Sequence, residues 1–118
     1  MPRLICRAEE LVDGGDAIRF EIETASGPRA AFAQRWRGVV RAYLNRCEHV
    51  PVELDWNPGK ILDDSGEWLL CATHGALYAP DTGVCAAGPC AGRRLQTLRV
   101  TEQNHNIYLH EEESPQDE

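Results

Sequence analysis

The stretch from Cys47 to His74 constrains this chain more than any other, because two short segments in it each offer one thiol and one imidazole. The first segment places Cys47 two residues before His49, and the second places Cys71 three residues before His74. The two segments are separated by 21 residues. Cysteine and histidine are ligands for zinc and for iron. The four side chains therefore predict a metal site assembled from two loops.

The two segments resemble the ligand loops of the Rieske family, which read Cys-x-His and Cys-x-x-His. Here they are Cys47-Glu48-His49 and Cys71-Ala72-Thr73-His74. Gly83 and the pair Gly88-Pro89 match the family's third, proline-containing loop. The resemblance covers most of the chain, from about Leu4 to Leu109.

The resemblance implies a [2Fe–2S] cluster with Cys47 and Cys71 on one iron and His49 and His74 on the other. Neutral imidazoles in place of two thiolates make such a cluster less negative and easier to reduce. An imidazole bound through one nitrogen keeps its other nitrogen outward, where a partner can reach it. The implied chemistry is one-electron transfer, with the two histidines as the exit for the electron.

A structural zinc site is the alternative for the same four residues, since two cysteines and two histidines also form a zinc set. Zinc modules usually keep like ligands close together, as Cys-x₂₋₄-Cys and His-x₃₋₅-His pairs. In this chain each loop gives one ligand of each kind. That order suits two irons, each bound by the same residue type from both loops, and favours the cluster.

Two residues that follow His74 belong to the same resemblance. Gly75 continues the signature of the second ligand loop. Tyr78 corresponds to a family tyrosine that donates its hydroxyl toward a ligand cysteine sulfur, which raises the reduction potential. Tyr78 also fits the simpler interpretation of a core aromatic residue.

The walls around the cluster are the next expectation. Val50 and Pro51 open an apolar group, completed by Val52 and Leu54, that follows His49. This group is either a lid that keeps water off the cluster or ordinary core, and its position next to His49 favours the lid. Gly88-Pro89 is expected to form the opposite wall, with the proline fixing the backbone.

Ala76 indicates the branch of the family. High-potential relatives have a serine at this position, which bonds a bridging sulfide, and a disulfide between the two ligand loops. The positions that correspond to those loop cysteines, Val52 and Thr73 or its neighbours, are not cysteine. The chain therefore resembles the low-potential ferredoxin branch.

Residues 1–7 lack the apolar run of a signal peptide, and no 18-residue apolar stretch occurs, so we expect a cytoplasmic protein with no membrane span. In that compartment the cysteines are expected to be reduced or metal-bound. Cys85 and Cys90 are close enough for a disulfide, but the redox context favours thiols. Cys6 is predicted to be a buried apolar residue.

The net charge of −7 is unevenly distributed. Residues 47–70 hold six acidic residues and one lysine, and residues 111–118 hold five acidic residues and no basic one. Acidity around the ligand motifs suits a basic surface on a protein partner and argues against binding to nucleic acid.

The rest of the chain predicts β-structure. Strands are expected over 17–23, 30–36, 39–45, 60–62, 68–70, 77–79, 95–100 and 106–110. Arg37-Gly38 reads as a hairpin turn, Glu102-Gln103-Asn104 as another, and 6–12 as one helical turn at most. Short strands with frequent turns indicate an all-β fold, a small sandwich or barrel. The Rieske resemblance adds a cluster-binding subdomain of two ligand loops and a proline loop.

These observations predict a single Rieske domain over 1–110, with the cluster-binding subdomain at about 46–92 and a disordered acidic tail at 111–118. The expected function is that of a Rieske-type ferredoxin, carrying single electrons from a reductase to an oxygenase. Both partners are expected to dock at the end of His49 and His74. The alternative is a Rieske-like small subunit or accessory module of a larger redox complex, such as nitrite reductase.

Overall fold

Ten β-strands and one short 3₁₀ helix make up the regular structure of the residues described. The computed structural model describes residues 2–24, 27–46, 53–55, 59–71, 75–88 and 92–110. The strands are β1 (Arg3–Arg7), β2 (Ile18–Thr24), β3 (Gly27–Trp36), β4 (Val39–Leu44), β5 (Leu69–Leu70), β6 (Leu77–Tyr78), β7 (Cys85–Ala87), β8 (Thr97–Leu98), β9 (Val100–Gln103) and β10 (Asn106–Leu109). The helix is Ala8–Glu10. The predicted all-β fold class is confirmed. Among the described residues, no helix is long and apolar enough to cross a membrane.

The strands form three antiparallel sheets. Their orders are β1-β10-β9, β2-β3-β4-β8 and β5-β6-β7. The second sheet is buried on both faces, because alternate residues of its central strands enter two different cores. Phe32 and Tyr43 join one core with residues of the β5-β6-β7 sheet. Ala31 and Ala42 join the other core with residues of β1 and β10.

The hairpin between β3 and β4 leads directly to the predicted metal site. Arg37 and Gly38 form its turn with φ of 50° and 83°, and Trp36 pairs with Val39 across it. Two consecutive residues with positive φ are typical of the type I′ turn, whose twist matches that of paired strands. The predicted hairpin is confirmed, and β4 ends at Leu44, three residues before Cys47.

The second predicted turn is displaced along the chain. Asn104 and His105 have positive φ, of 52° and 66°, while Glu102 and Gln103 belong to β9 and pair with β10. Asparagine tolerates the left-handed conformation better than most residues do, which favours the turn at this position.

Other predicted strands are shorter or divided. The stretch 95–100 contributes β8 to one sheet and the start of β9 to another, because the chain changes partner at Arg99. The predicted strand at 60–62 is reduced to a single bridge between Leu62 and Leu69. β1 and β7 were not predicted. β1 depends on pairing with β10 at the far end of the chain, which local sequence does not reveal.

Candidate metal centre

Cys71 is the one predicted ligand among the described residues, and it is fully buried at the end of β5. Its thiol is not part of a disulfide. The Cys71 N–H donates to the Ala76 carbonyl oxygen at 2.9 Å, and the Gly75 N–H donates to the Cys71 carbonyl oxygen at 2.8 Å. Both ends of this segment, which we call the second ligand loop (71–76), are therefore fixed by backbone hydrogen bonds.

The remaining predicted ligands, Cys47, His49 and His74, lie outside the described residues, and so do Val50, Pro51 and Pro89. Their roles stay predictions.

Gly88 approaches the second ligand loop closely. A Cβ atom at Gly88 would lie 3.0 Å from the Cα of Ala76 and 3.3 Å from the Gly75 carbonyl oxygen. Its φ of +97° is also disfavoured for residues with a side chain. A glycine is thus needed for the chain that leads into the proline loop to lie against the second ligand loop. Of the predicted pair Gly88-Pro89, Gly88 contacts the second ligand loop, and Pro89 lies outside the described residues.

Tyr78 is fully buried on β6, where it pairs with Leu69 of β5 and Cys85 of β7. It belongs to the same buried cluster as Cys71 and Ala76. This position agrees with a core aromatic residue. The donation of its hydroxyl to a ligand sulfur stays a prediction.

The first ligand loop, which we define as the segment 46–53, is closed at its base by a polar network that the sequence analysis missed. Asn45 Oδ1 accepts from the Leu54 N–H at 2.7 Å, and Asn45 Nδ2 donates to Asp55 Oδ1 at 2.8 Å. Asp55 Oδ2 accepts from the Gly59 N–H at 2.9 Å. One amide side chain therefore joins the residues that precede and follow the loop.

Burial makes this network energetically important. Asn45 and Asp55 are only 3% and 6% exposed. Buried polar groups are costly unless they are hydrogen-bonded. Arg19 supplies the charge partner, with its Nε 3.8 Å from Asp55 Oδ2. The sequence signal is weak, since a polar residue just after a strand is common and Asp55 stands before an ordinary turn sequence.

Leu54 decides part of the question about the apolar group that follows His49. It is fully buried and packs in the cluster that contains Cys71. Leu54 is therefore a core residue, and the favoured interpretation as a lid is wrong for this member of the group. The other members of the group, Val50, Pro51 and Val52, lie outside the described residues.

Two cysteines outside the ligand set differ in state. Cys6 is buried and free, as predicted, and burial raises the pKa of its thiol to about 11. Cys85 is disulfide-bonded, so the expectation of a thiol there is wrong. The prediction came from the redox context of a cytoplasm, which does not account for local geometry. Cys90 lies outside the described residues.

The family model of the Rieske [2Fe-2S] domain matches residues 2–104. The chain therefore belongs to the Rieske [2Fe–2S] domain family, and its cofactor is a Rieske-type [2Fe–2S] cluster.

Solved structures with a similar fold agree with this membership. One is a chain of the complex of reduced oxygenase and oxidized ferredoxin in carbazole 1,9a-dioxygenase, with a TM-score of 0.70, 18% identity and coverage of 97% of this chain and 95% of that chain. Another is the ferredoxin of carbazole 1,9a-dioxygenase from Nocardioides aromaticivorans IC177, with a TM-score of 0.69, 18% identity and coverage of 92% and 96%. At this identity the likeness concerns the fold. No curated protein matches the chain.

The residues around Cys71 fit the cluster that the family implies. The Cys71 thiol forms no disulfide, which agrees with a ligand cysteine, since such a residue binds metal as a thiolate. The absence of a side chain at Gly88 lets a second segment lie against the same loop. Burial of Cys71 and Tyr78 supplies the apolar surroundings that tune an iron–sulfur centre.

Proposed function

We propose that this protein is a Rieske-type ferredoxin that carries single electrons from a reductase to an oxygenase. The observation that carries the proposal is the family match together with the likeness to the carbazole 1,9a-dioxygenase ferredoxin, which covers 92% of this chain and 96% of that one. The two chains are thus alike over nearly their whole lengths.

In this proposal Cys47 and Cys71 hold one iron and His49 and His74 hold the other. When bound, the cluster supplies one-electron oxidation and reduction. The chain's own residues hold and shield it. The backbone hydrogen bonds of the second ligand loop fix the position of Cys71, and the Asn45 network holds the base of the first ligand loop. Leu54 and Tyr78 keep water from the buried side.

We propose docking of the redox partners at the end formed by His49 and His74. An imidazole that binds iron through one nitrogen keeps its other nitrogen outward, which favours electron exit to a partner there. Of the six carboxylates in 47–70, Asp55 is buried and Glu67 pairs with Arg37 at the β3–β4 turn, so the described residues do not place this acidity at the His49 and His74 end. We also propose a cytoplasmic location and a single domain over 1–110, with its cluster-binding part at about 46–92. A cytoplasmic location gives the carrier access to a flavin- or nicotinamide-linked reductase.

The test is a composition measurement followed by an electron-transfer measurement. Protein purified without oxygen should contain two irons and two sulfides per chain and absorb visible light. Stoichiometric zinc in a colourless protein would contradict the cluster. The reduced protein should then support product formation by an oxygenase of the carbazole 1,9a-dioxygenase type with a reductase present. An intact cluster that supports no oxygenase would favour the alternative of a subunit in another redox complex.

Ala76 leads to a separate prediction, which concerns the reduction potential of the cluster. We expect it in the lower part of the Rieske range of about −150 to +300 mV, below zero, because an alanine offers no hydroxyl to the cluster. Ala76 is fully buried in the second ligand loop. An Ala76→Ser hydroxyl that donates to a sulfide stabilises the reduced state by roughly 1–2 kcal/mol, which raises a one-electron potential by about 40–90 mV.

Protein-film voltammetry measures this change. Ala79→Ser is the control, because Ala79 lies at the other end of β6 beside the turn to β7. A reduction potential that rises in Ala76→Ser but not in Ala79→Ser supports the prediction that residue 76 faces a sulfide of the cluster. An unchanged potential would show that residue 76 does not face the sulfide.

A further inference from the structure

A second site lies at the end of the β6–β7 hairpin that points away from the ligand loops. Leu77 pairs with Ala87 at the end near the second ligand loop, and the chain turns back at 80–83 at the other end. Beside this turn a surface cavity of about 310 Å³ separates the hairpin from β4 and β8. No part of the electron-transfer proposal uses this cavity.

The cavity is positively charged on a protein of net charge −7. Among the described residues that line it are three arginines and one acidic residue, Asp81. The arginines come from separate parts of the chain: Arg41 from β4, Arg94 from the segment before β8, and Arg99 from the link between β8 and β9. Such a concentration of guanidinium groups favours an anion, because each group presents several N–H donors in one plane.

Arg41 provides the second observation. Its Nη1 atom is buried and has no hydrogen-bond partner among the described residues. A buried charged donor without a partner is costly, and native structures rarely leave one unexplained. Nη1 has no surface open to solvent in the present arrangement, so an oxyanion in the cavity would give this nitrogen an acceptor when the Arg41 guanidinium turns toward it.

The frame of the cavity is held in place by specific contacts. The Tyr43 hydroxyl donates to the Pro80 carbonyl oxygen at 2.9 Å, and Arg94 Nη2 donates to the Thr82 carbonyl oxygen at 3.0 Å. The turn lies so close to the Tyr43 ring that a Cβ atom at Gly83 would be 2.8 Å from its Cε1 atom. The turn and Arg94 therefore stand on a fixed frame, which lowers the cost of ordering this side of the cavity around a ligand.

The phenol of Tyr43 adds no negative charge of its own at neutral pH. Burial raises its pKa to about 12, and the Asp81 carboxylate also raises it, against the opposing effect of the Arg41 and Arg94 guanidiniums. The side chain thus stays neutral beside the arginines.

We propose that the cavity lined by Arg41, Arg94 and Arg99 binds a small oxyanion of the phosphate or carboxylate class. Two sources can supply this chemistry. One is a free anion in solution. The other is the chain's own segment 111–118, which has five acidic residues and no basic one. His110, the last described residue before that segment, donates its N–H to the Arg99 carbonyl oxygen at 2.9 Å.

The binding experiment is calorimetric titration of the cluster-loaded protein with inorganic phosphate and with citrate, at constant ionic strength set by chloride. We expect saturable binding that weakens at least tenfold in Arg41→Gln. The matched control is Arg93→Gln, which removes the neighbour of Arg94 without removing a residue that lines the cavity. Its affinity should equal that of the unmodified protein. Visible absorption and melting temperature check that each variant is folded, and Arg99→Gln replaces Arg41→Gln if the latter does not fold.

A variant with Glu111, Glu112 and Glu113 all changed to glutamine distinguishes the two sources. If the segment's carboxylates occupy the cavity, this variant should bind phosphate at least fivefold more tightly than the unmodified protein. Equal affinity in the two proteins assigns the site to a free anion. The proposal is overturned if neither protein shows saturable binding, or if the Arg41→Gln and Arg99→Gln variants bind as well as the Arg93→Gln control.

Discussion

Replacing Cys71 by serine should remove the [2Fe–2S] cluster from the protein, whereas replacing Cys6 by serine should leave the cluster in place. The two residues are a matched pair, since both are buried cysteines outside disulfides. They differ in surroundings. Cys71 stands in the second ligand loop and in the core with Tyr78, and Cys6 lies on β1 in the other core.

The physical reason is the ligand chemistry of the thiolate. Iron–sulfur clusters of this type are held by cysteine sulfur. A serine hydroxyl at position 71 has nearly the same size but is a much weaker acid, so it seldom supplies the anionic ligand. At position 6 the same change only places a hydroxyl in an apolar site, which costs about 1–3 kcal/mol of folding stability.

Iron and sulfide content per chain and the visible spectrum measure the outcome, with circular dichroism as the check on folding. We expect Cys71→Ser to fold without the cluster and Cys6→Ser to keep it. Changing His49 or His74 to alanine should also remove or convert the cluster. An unchanged spectrum in Cys71→Ser would show that Cys71 is not a ligand.

The sequence could identify the kind of site because metal ligation needs specific chemical groups at short spacing. Cys71 was predicted as a ligand for this reason, and that role stays a prediction. Gly88 lies against Ala76, while Pro89 is outside the described residues. The hairpin at Arg37 and Gly38 was evident as well, since glycine next to two apolar strands is a local signal.

Contacts between distant parts of the chain were not predictable in this way. β1 becomes a strand through its pairing with β10. The cavity lined by Arg41, Arg94 and Arg99 exists only after three segments meet. In each case the relevant partner is many residues away, and exposed arginines or short apolar runs occur in many sequences without such a role.

The hydrogen bonds of Asn45 were not predictable from the sequence either. A substitution of Asn45 is expected to have a large effect on stability. Asn45→Ala should lower the free energy of unfolding by about 3–5 kcal/mol, because it removes the acceptor of the Leu54 N–H and the donor to Asp55 Oδ1 in a buried place. The Asp55 side chain is fully buried, so water does not readily replace the lost amide. Among the described residues, Asp55 would keep the Gly59 N–H and the more distant Arg19 as partners.

The loss should extend to the cofactor, since Asn45 joins the two ends of the segment that contains Cys47 and His49. We expect Asn45→Ala to release iron to a chelator at least tenfold faster than the unmodified protein. Gln34→Ala is the control. Gln34 is another buried amide, 4% exposed, and it bonds to the Gly15 carbonyl oxygen at 3.1 Å.

Chemical denaturation and the rate of iron release, measured on both variants, separate stability from a local role in holding the loop. Gln34→Ala should lose stability, by a smaller amount, without faster release of iron. If both variants release iron at rates that follow their stabilities alone, Asn45 has only a general structural role. If Asn45→Ala instead keeps its stability to within about 1 kcal/mol and its cluster, the amide network does not hold the first ligand loop.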